Sequence, residues 1–156
     1  MARGGKAMLN AIRNFVIATV LFIGSAVGTL AQDDGVHYLA LQISDNDPQK
    51  MNTVLNVAVN VSKHYQDLGE EVEIRIVAFN AGLHMLRTDT SPVLERLSAF
   101  EQSMPNVSFA ACGNTIDTMT AKEGSAPPIS DHADRVAAGV AELMMLDETG
   151  WTLIRP

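Results

Sequence analysis

The chain of 156 residues has room for one ordinary domain with a real core, and not for two. Its net charge of −7 argues against a nucleic-acid partner, and its single cysteine excludes an internal disulfide. The chain has no Gly-x-Ser-x-Gly elbow, phosphate loop, Gly-x-Gly-x-x-Gly or Cys-x-x-Cys, so common nucleotide and redox chemistries lack support and no cofactor is expected.

The first 31 residues carry Arg3, Lys6 and Arg13 and no acid, followed by an uncharged and mostly apolar run over 15–30 that ends in Thr29-Leu30-Ala31. That order is a secretory signal, with cleavage expected after Ala31 and a mature domain over 32–156. A retained anchor is the alternative, weakened by Gly24, Ser25, Gly28 and Thr29. Without this segment the chain keeps 8 basic groups against 18 acidic ones, net −10, and has no polybasic patch for a membrane surface.

In the mature part, 37–43 alternates Leu39, Leu41 and Ile43 with Tyr38, Ala40 and Gln42, which predicts a strand. Asp47-Pro48 then predicts a helix start, with Met51, Val54, Ala58, Val61, Tyr65 and Leu68 as its apolar stripe and Gly69 as its end. Residues 72–79 read as a second strand with Glu73 and Arg75 outward, followed by the turn Asn80-Ala81-Gly82 and a short helical piece over 83–86. Ser91-Pro92 is expected to cap a helix carrying Val93, Leu97, Phe100 and Met104. Strand 107–112, the turn Gly113-Asn114-Thr115 and a short helix over 116–121 follow. On composition, the Gly/Ser/Pro loop at 124–128 is the most mobile stretch. A fourth strand at 135–138, a helix at 140–146 and a closing strand at 151–154 complete an α/β domain. Its mostly parallel sheet of about five strands is expected to have helices on both faces.

Ligands of such sheets bind beyond the carboxyl ends of the strands, where Ser44-Asp45-Asn46-Asp47, Asn80-Ala81-Gly82 and Cys112-Gly113-Asn114-Thr115 would share one edge. Cys112 precedes a glycine and a helix start, where unpaired N–H groups and the helix dipole favour a thiolate. Inert buried cysteines at strand ends are equally common, so both readings stand. His84 is the histidine best placed to approach this edge, although as an exposed helix residue it needs no such role. His37, His64 and His132 read as strand-end, helix-surface and loop residues, and none has metal-site spacing with Cys112, so no metal is expected. Asp47 is accounted for by capping and Asp45 by the turn. The Met144-Met145 pair fits an apolar helix face, and Trp151 is expected in the core. Two glycosylation patterns, at Asn60 and Asn106, carry no weight.

Taken together, the residues over 36–156 resemble the DsrE/DsrF-like family of small proteins of bacterial sulfur relay. The carriers are Asp45-Asn46-Asp47-Pro48 after the first strand, Val72-Glu73-Ile74-Arg75-Ile76-Val77-Ala78, and the Ala111-Cys112-Gly113-Asn114-Thr115 turn. Most specific is the ending, from Gly139-Val140-Ala141-Glu142-Leu143 through Gly150-Trp151-Thr152-Leu153-Ile154-Arg155-Pro156. The resemblance implies a three-layer sandwich, assembly into homotrimers or homohexamers and, in relay members, a cysteine after a central strand that accepts and passes on sulfur. Cys112 holds a similar place. Relay members work in the cytoplasm, whereas this chain begins with an export signal, and its Cys-Gly-Asn-Thr turn belongs to a less characterised branch.

Two functions follow as expectations. One is a periplasmic, sulfurtransferase-like sulfur carrier with Cys112 as the persulfide site. The N–H groups of Gly113, Asn114 and Thr115 would stabilise its charge, with Asn80 or His84 nearby and thiosulfate, polysulfide or a protein persulfide as partner. The other is a non-enzymatic oligomeric binding or assembly module in which Cys112 is packing.

Overall fold

The computed structural model describes residues 35–156. The expected export segment and its cleavage site lie outside the described residues. Strand β1 (Val36–Ile43) runs into helix α1 (Pro48–Leu68). Asp47 accepts a hydrogen bond from the Gln49 N–H at 2.8 Å, Pro48 opens the first turn, and Gly69 closes the helix in the left-handed conformation at φ 73°. The stripe buries Met51, Val54 and Ala58 together with Leu55, while Leu68 stays exposed.

Strand β2 (Glu71–Ala78) leads to a 3-10 helix over Asn80–Leu86, so the turn expected at 80–82 is already helical. Helix α2 (Leu94–Ser103) begins later than Ser91-Pro92 suggests. The Ser91 hydroxyl donates to the Met85 carbonyl at 2.7 Å and anchors the preceding loop to the 3-10 helix. Strand β3 (Val107–Cys112) passes directly into α3 (Gly113–Glu123), then β4 (Ala133–Val136), α4 (Gly139–Glu148) and β5 (Thr152–Ile154). The expected turn at 113–115 is therefore the first turn of α3.

The sheet order is β4-β3-β2-β1-β5, with every pairing parallel. The chain steps outward from β1 to β4 and then returns to the other side of β1. With right-handed crossovers, that reversal sends α4 to the opposite face from the earlier helices. The main core joins β1 to β3 with α1, the 3-10 helix, α2 and Ile116 of α3. A smaller cluster on the other face joins Ala40, Val77 and Ala110 to Leu143 and Leu146 of α4, with Trp151 half-buried at its margin. Each fully buried Leu or Ile here is worth about 1.5–3 kcal/mol of apolar burial.

Arg75 is not outward in the sense expected. It is half-buried under α4, its Nε donating to Glu142 Oε1 at 2.7 Å and its Nη1 to Asp134 Oδ2 at 3.0 Å, and so ties α4 to β2 and β4. The 124–128 loop is fastened at its far end. Ile129 bridges to Arg87, Thr88 N–H donates to the Pro128 carbonyl, and Ser130 N–H donates to the Leu86 carbonyl.

Candidate functional site

Cys112 is the last residue of β3 and the N-cap of α3, with 5% of its surface exposed. Because Cys112 pairs in register with Val136, the end of β4 and the start of α4 come back beside it. Gly139, the first residue of α4, donates its N–H to Cys112 Sγ at 3.2 Å. The sulfur thus lies at the N-termini of two helices, where orphan N–H groups and aligned peptide dipoles favour negative charge.

Burial pushes the thiol pKa up, but the Thr115 hydroxyl and the N–H groups of Gly139, Thr115 and Asn114 pull it down further. The net position is below that of an ordinary cysteine. The Thr115 hydroxyl is itself oriented, because its oxygen accepts the Asn80 N–H at 3.0 Å. Asn80 takes up a left-handed backbone with φ 49°, a conformation asparagine tolerates better than most residues. A strand end, a helix start and the neighbouring 3-10 helix are thereby linked around one sulfur.

These residues line a pocket of about 640 Å³. Cys112, Asn114, Thr115, Asn80 and His84 all border it, which brings together five of the six residues singled out from sequence. Gly113 does not line it. A Cβ there would lie 2.9 Å from the Val136 carbonyl oxygen, so its glycine serves close packing against β4, and Gly113 is not among the donors to the sulfur.

Ser44-Asp45-Asn46-Asp47 does not join this pocket. Asp45 pairs with Lys50 at 3.0 Å and Arg155 at 3.2 Å, and these hydrogen bonds hold its carboxyl below the usual range, Lys50 first. His37 and His64 lie elsewhere, packed on Tyr65, with His37 stacked at 3.9 Å and bonded to Glu70 at 2.8 Å. His132 sits 3.7 Å from Glu101. Among the described residues no group of three metal-ligating side chains comes together, and no helix is long and apolar enough to cross a membrane.

The sequence reading missed the far end and the opposite wall of the pocket. Met119, Lys122 and Glu123 of α3 line it, as do Phe79, Gly139 and Val140. The α3 residues had a signal, since Thr115, Met119 and Lys122 follow at steps of four and three, visible once 113–123 is one helix. Glu123 is bound to Arg87, whose Nη1 donates to Glu123 Oε1 at 2.6 Å while Nε and Nη2 grip Asp89. That hydrogen bond, with the charge of Arg87 behind it, holds the Glu123 carboxyl below its usual range against burial and the nearby Asp89.

No protein-family model and no curated protein matches the chain. Among solved structures it is similar to the protein of unknown function MTH1491 from Methanobacterium thermoautotrophicum. The two share 28% identity and a TM-score of 0.62, over 77% of this chain and 99% of that one. The similarity extends to nearly the whole of that protein and supports the α/β fold described above.

Proposed function

We propose that this chain is an exported sulfur carrier of the DsrE/DsrF-like kind, with Cys112 as its persulfide site. The observation that carries the reading is the sulfur's position at two helix N-termini, at the edge of a pocket and with four donor groups lowering its pKa. A packed, inert cysteine needs none of these donors. The thiolate attacks the outer sulfur of a sulfane donor, and the S–S bond of the donor breaks. With thiosulfate, sulfite leaves with the bonding electron pair and Cys112 becomes a persulfide. The donors that stabilise the thiolate also stabilise the persulfide anion. Export is supported by the basic opening, the apolar run and Thr29-Leu30-Ala31, and the periplasm is the proposed compartment.

The test is the intact mass of the protein after exposure to polysulfide or thiosulfate. The expected result is the gain of one or more sulfur atoms, reversed by a reducing thiol and absent in Cys112→Ser. A Cys112 that takes up no sulfur and resists alkylation removes the reading.

A second reading, an oligomeric assembly module, is favoured by one specific observation. Val140, Met144 and Met145 of α4 are large apolar residues left exposed on the thinly covered side of the sheet, and Leu153 of β5, in register with Ala40, joins them there. Assembly as a homotrimer or homohexamer through this side is compatible with either reading.

A further inference from the structure

Thr115 sits in the first turn of α3 and differs from the other threonines of that helix in what its hydroxyl does. Thr118 donates to the Asn114 carbonyl at 2.8 Å and Thr120 to the Ile116 carbonyl at 2.8 Å, the ordinary back-bond to the residue four before. For Thr115 that residue is Ala111, which lies in the middle of the sheet with β2 paired on one side and β4 on the other. A hydroxyl has one proton to give, and that of Thr115 goes to Cys112 Sγ. Thr115 is buried, so water has little access to compete for it.

The oxygen of that hydroxyl is held from the 3-10 helix, where the Asn80 N–H donates to Thr115 Oγ1 at 3.0 Å. Asn80 is bedded on both sides. Phe79 N–H donates to the Ile43 carbonyl at 3.1 Å, and Gly82 N–H donates to the Phe79 carbonyl at 3.0 Å. Gly82 lies so close to the end of β1 that a Cβ there would run into the Ile43 carbonyl oxygen. The Asn80 N–H therefore has a fixed place, and its direction depends on the left-handed φ of 49°, which asparagine and glycine accept and β-branched residues resist.

Resting on the reading of Cys112 as a sulfur acceptor, we infer that Asn80 is a positioning residue which acts through its backbone and not its amide, and that the Thr115 hydroxyl it positions holds Cys112 as the attacking thiolate. With the Thr115 oxygen occupied by the Asn80 N–H, the hydroxyl proton is left to the sulfur. Released from Asn80, the hydroxyl is free to turn to another acceptor. The Gly139 N–H, fixed on α4, stays on the sulfur in either case. The pair adds no reactant to the transfer: the thiolate attacks the sulfane sulfur, and the S–S bond of the donor breaks with its electron pair on the leaving group.

The test is the pH profile of Cys112 alkylation in the folded protein, followed by intact mass, with the urea midpoint of each variant measured beside it. Thr115→Val keeps the shape of the side chain and removes the donor. It is expected to move the alkylation midpoint upward and to slow the reaction at neutral pH about tenfold, the scale of one hydrogen bond to a charged group. Thr115→Ser returns the hydroxyl and is expected to return the midpoint. Asn80→Gly removes the amide but accepts the same φ, and is expected to keep the wild-type midpoint, whereas Asn80→Val is expected to raise it as Thr115→Val does. If Thr115→Val does not fold, the two Asn80 variants decide. Urea midpoints that fall while the alkylation midpoint stays put show packing alone and overturn the inference, as does an Asn80→Gly shift equal to that of Asn80→Val. Sulfur uptake from polysulfide by the wild type, with all alkylation midpoints alike, overturns the inference and leaves the carrier reading standing. No uptake by the wild type overturns the two together.

Discussion

Gly139 is where a single missing methyl group lets α4 come close enough to donate to the sulfur. A Cβ at this position would sit 2.9 Å from Phe79 Cβ and 3.3 Å from Cys112 Cβ, against backbone-proximal atoms that cannot swing away. Gly139→Ala must therefore push the first turn of α4 off the sheet and lengthen the N–H to Sγ hydrogen bond. The expected cost is about 1–3 kcal/mol, an overpacking effect, measured as a lower urea midpoint with an unchanged slope. An unchanged or higher midpoint would show that α4 does not need this contact. The sequence made Cys112 legible, because the end of an apolar strand run followed by Gly-Asn-Thr marks a strand-to-helix junction. It did not make Gly139 legible. That residue approaches the sulfur only because β4 pairs with β3, and nothing local in Gly139-Val140-Ala141 announces the contact. Asn80 lies between these cases: its turn was readable, while its N–H bond to Thr115 is a meeting of two elements 35 residues apart.

Elements with strong periodicity were read nearly to the residue. Strand β3 has the expected bounds, and α1 has its expected cap, first-turn proline and terminal glycine, since each of those signals is a backbone preference that acts within a few residues. The misreadings arise where a distant partner overrides a local preference. Ser91 is a sound N-cap in isolation, yet its hydroxyl is drawn to the Met85 carbonyl and the helix starts at Leu94. The 124–128 loop has the composition of a mobile segment, and the backbone that follows it is bonded to residues 86–88, a pairing that no local signal announces. Arg87, at that same bridge, binds Asp89 and Glu123, and the Asp89 carboxyl is held at about 2 chiefly by the Arg87 side chain. Helix α4 is likewise fastened by Arg75, whose outward strand position gave no hint of Glu142. Since α4 carries Gly139, this half-buried ion pair helps fix the donor at the sulfur.

For the molecule as a whole, the two faces of the sheet are unequal. Among the described residues, four helical segments cover one face and α4 alone packs on the other, with Met144 59% and Val140 55% exposed. Light scattering is expected to give a trimer or hexamer at micromolar concentration, and Met144→Lys to shift the population toward monomer by burying a charge at the contact. A wild-type monomer at that concentration removes the assembly proposal. Folding and thiol chemistry meet in one linkage. A thiol whose pKa is lower in the folded molecule than in the unfolded chain stabilises the fold fully above the unfolded pKa. That contribution is lost as pH falls through the folded pKa. The most direct test is therefore the pH dependence of Cys112 alkylation, read by mass in the native protein and again in denaturant. The native midpoint is expected below the denatured one, which should fall near the ordinary cysteine value of about 8.5. A native midpoint equal to or above the denatured one would contradict it.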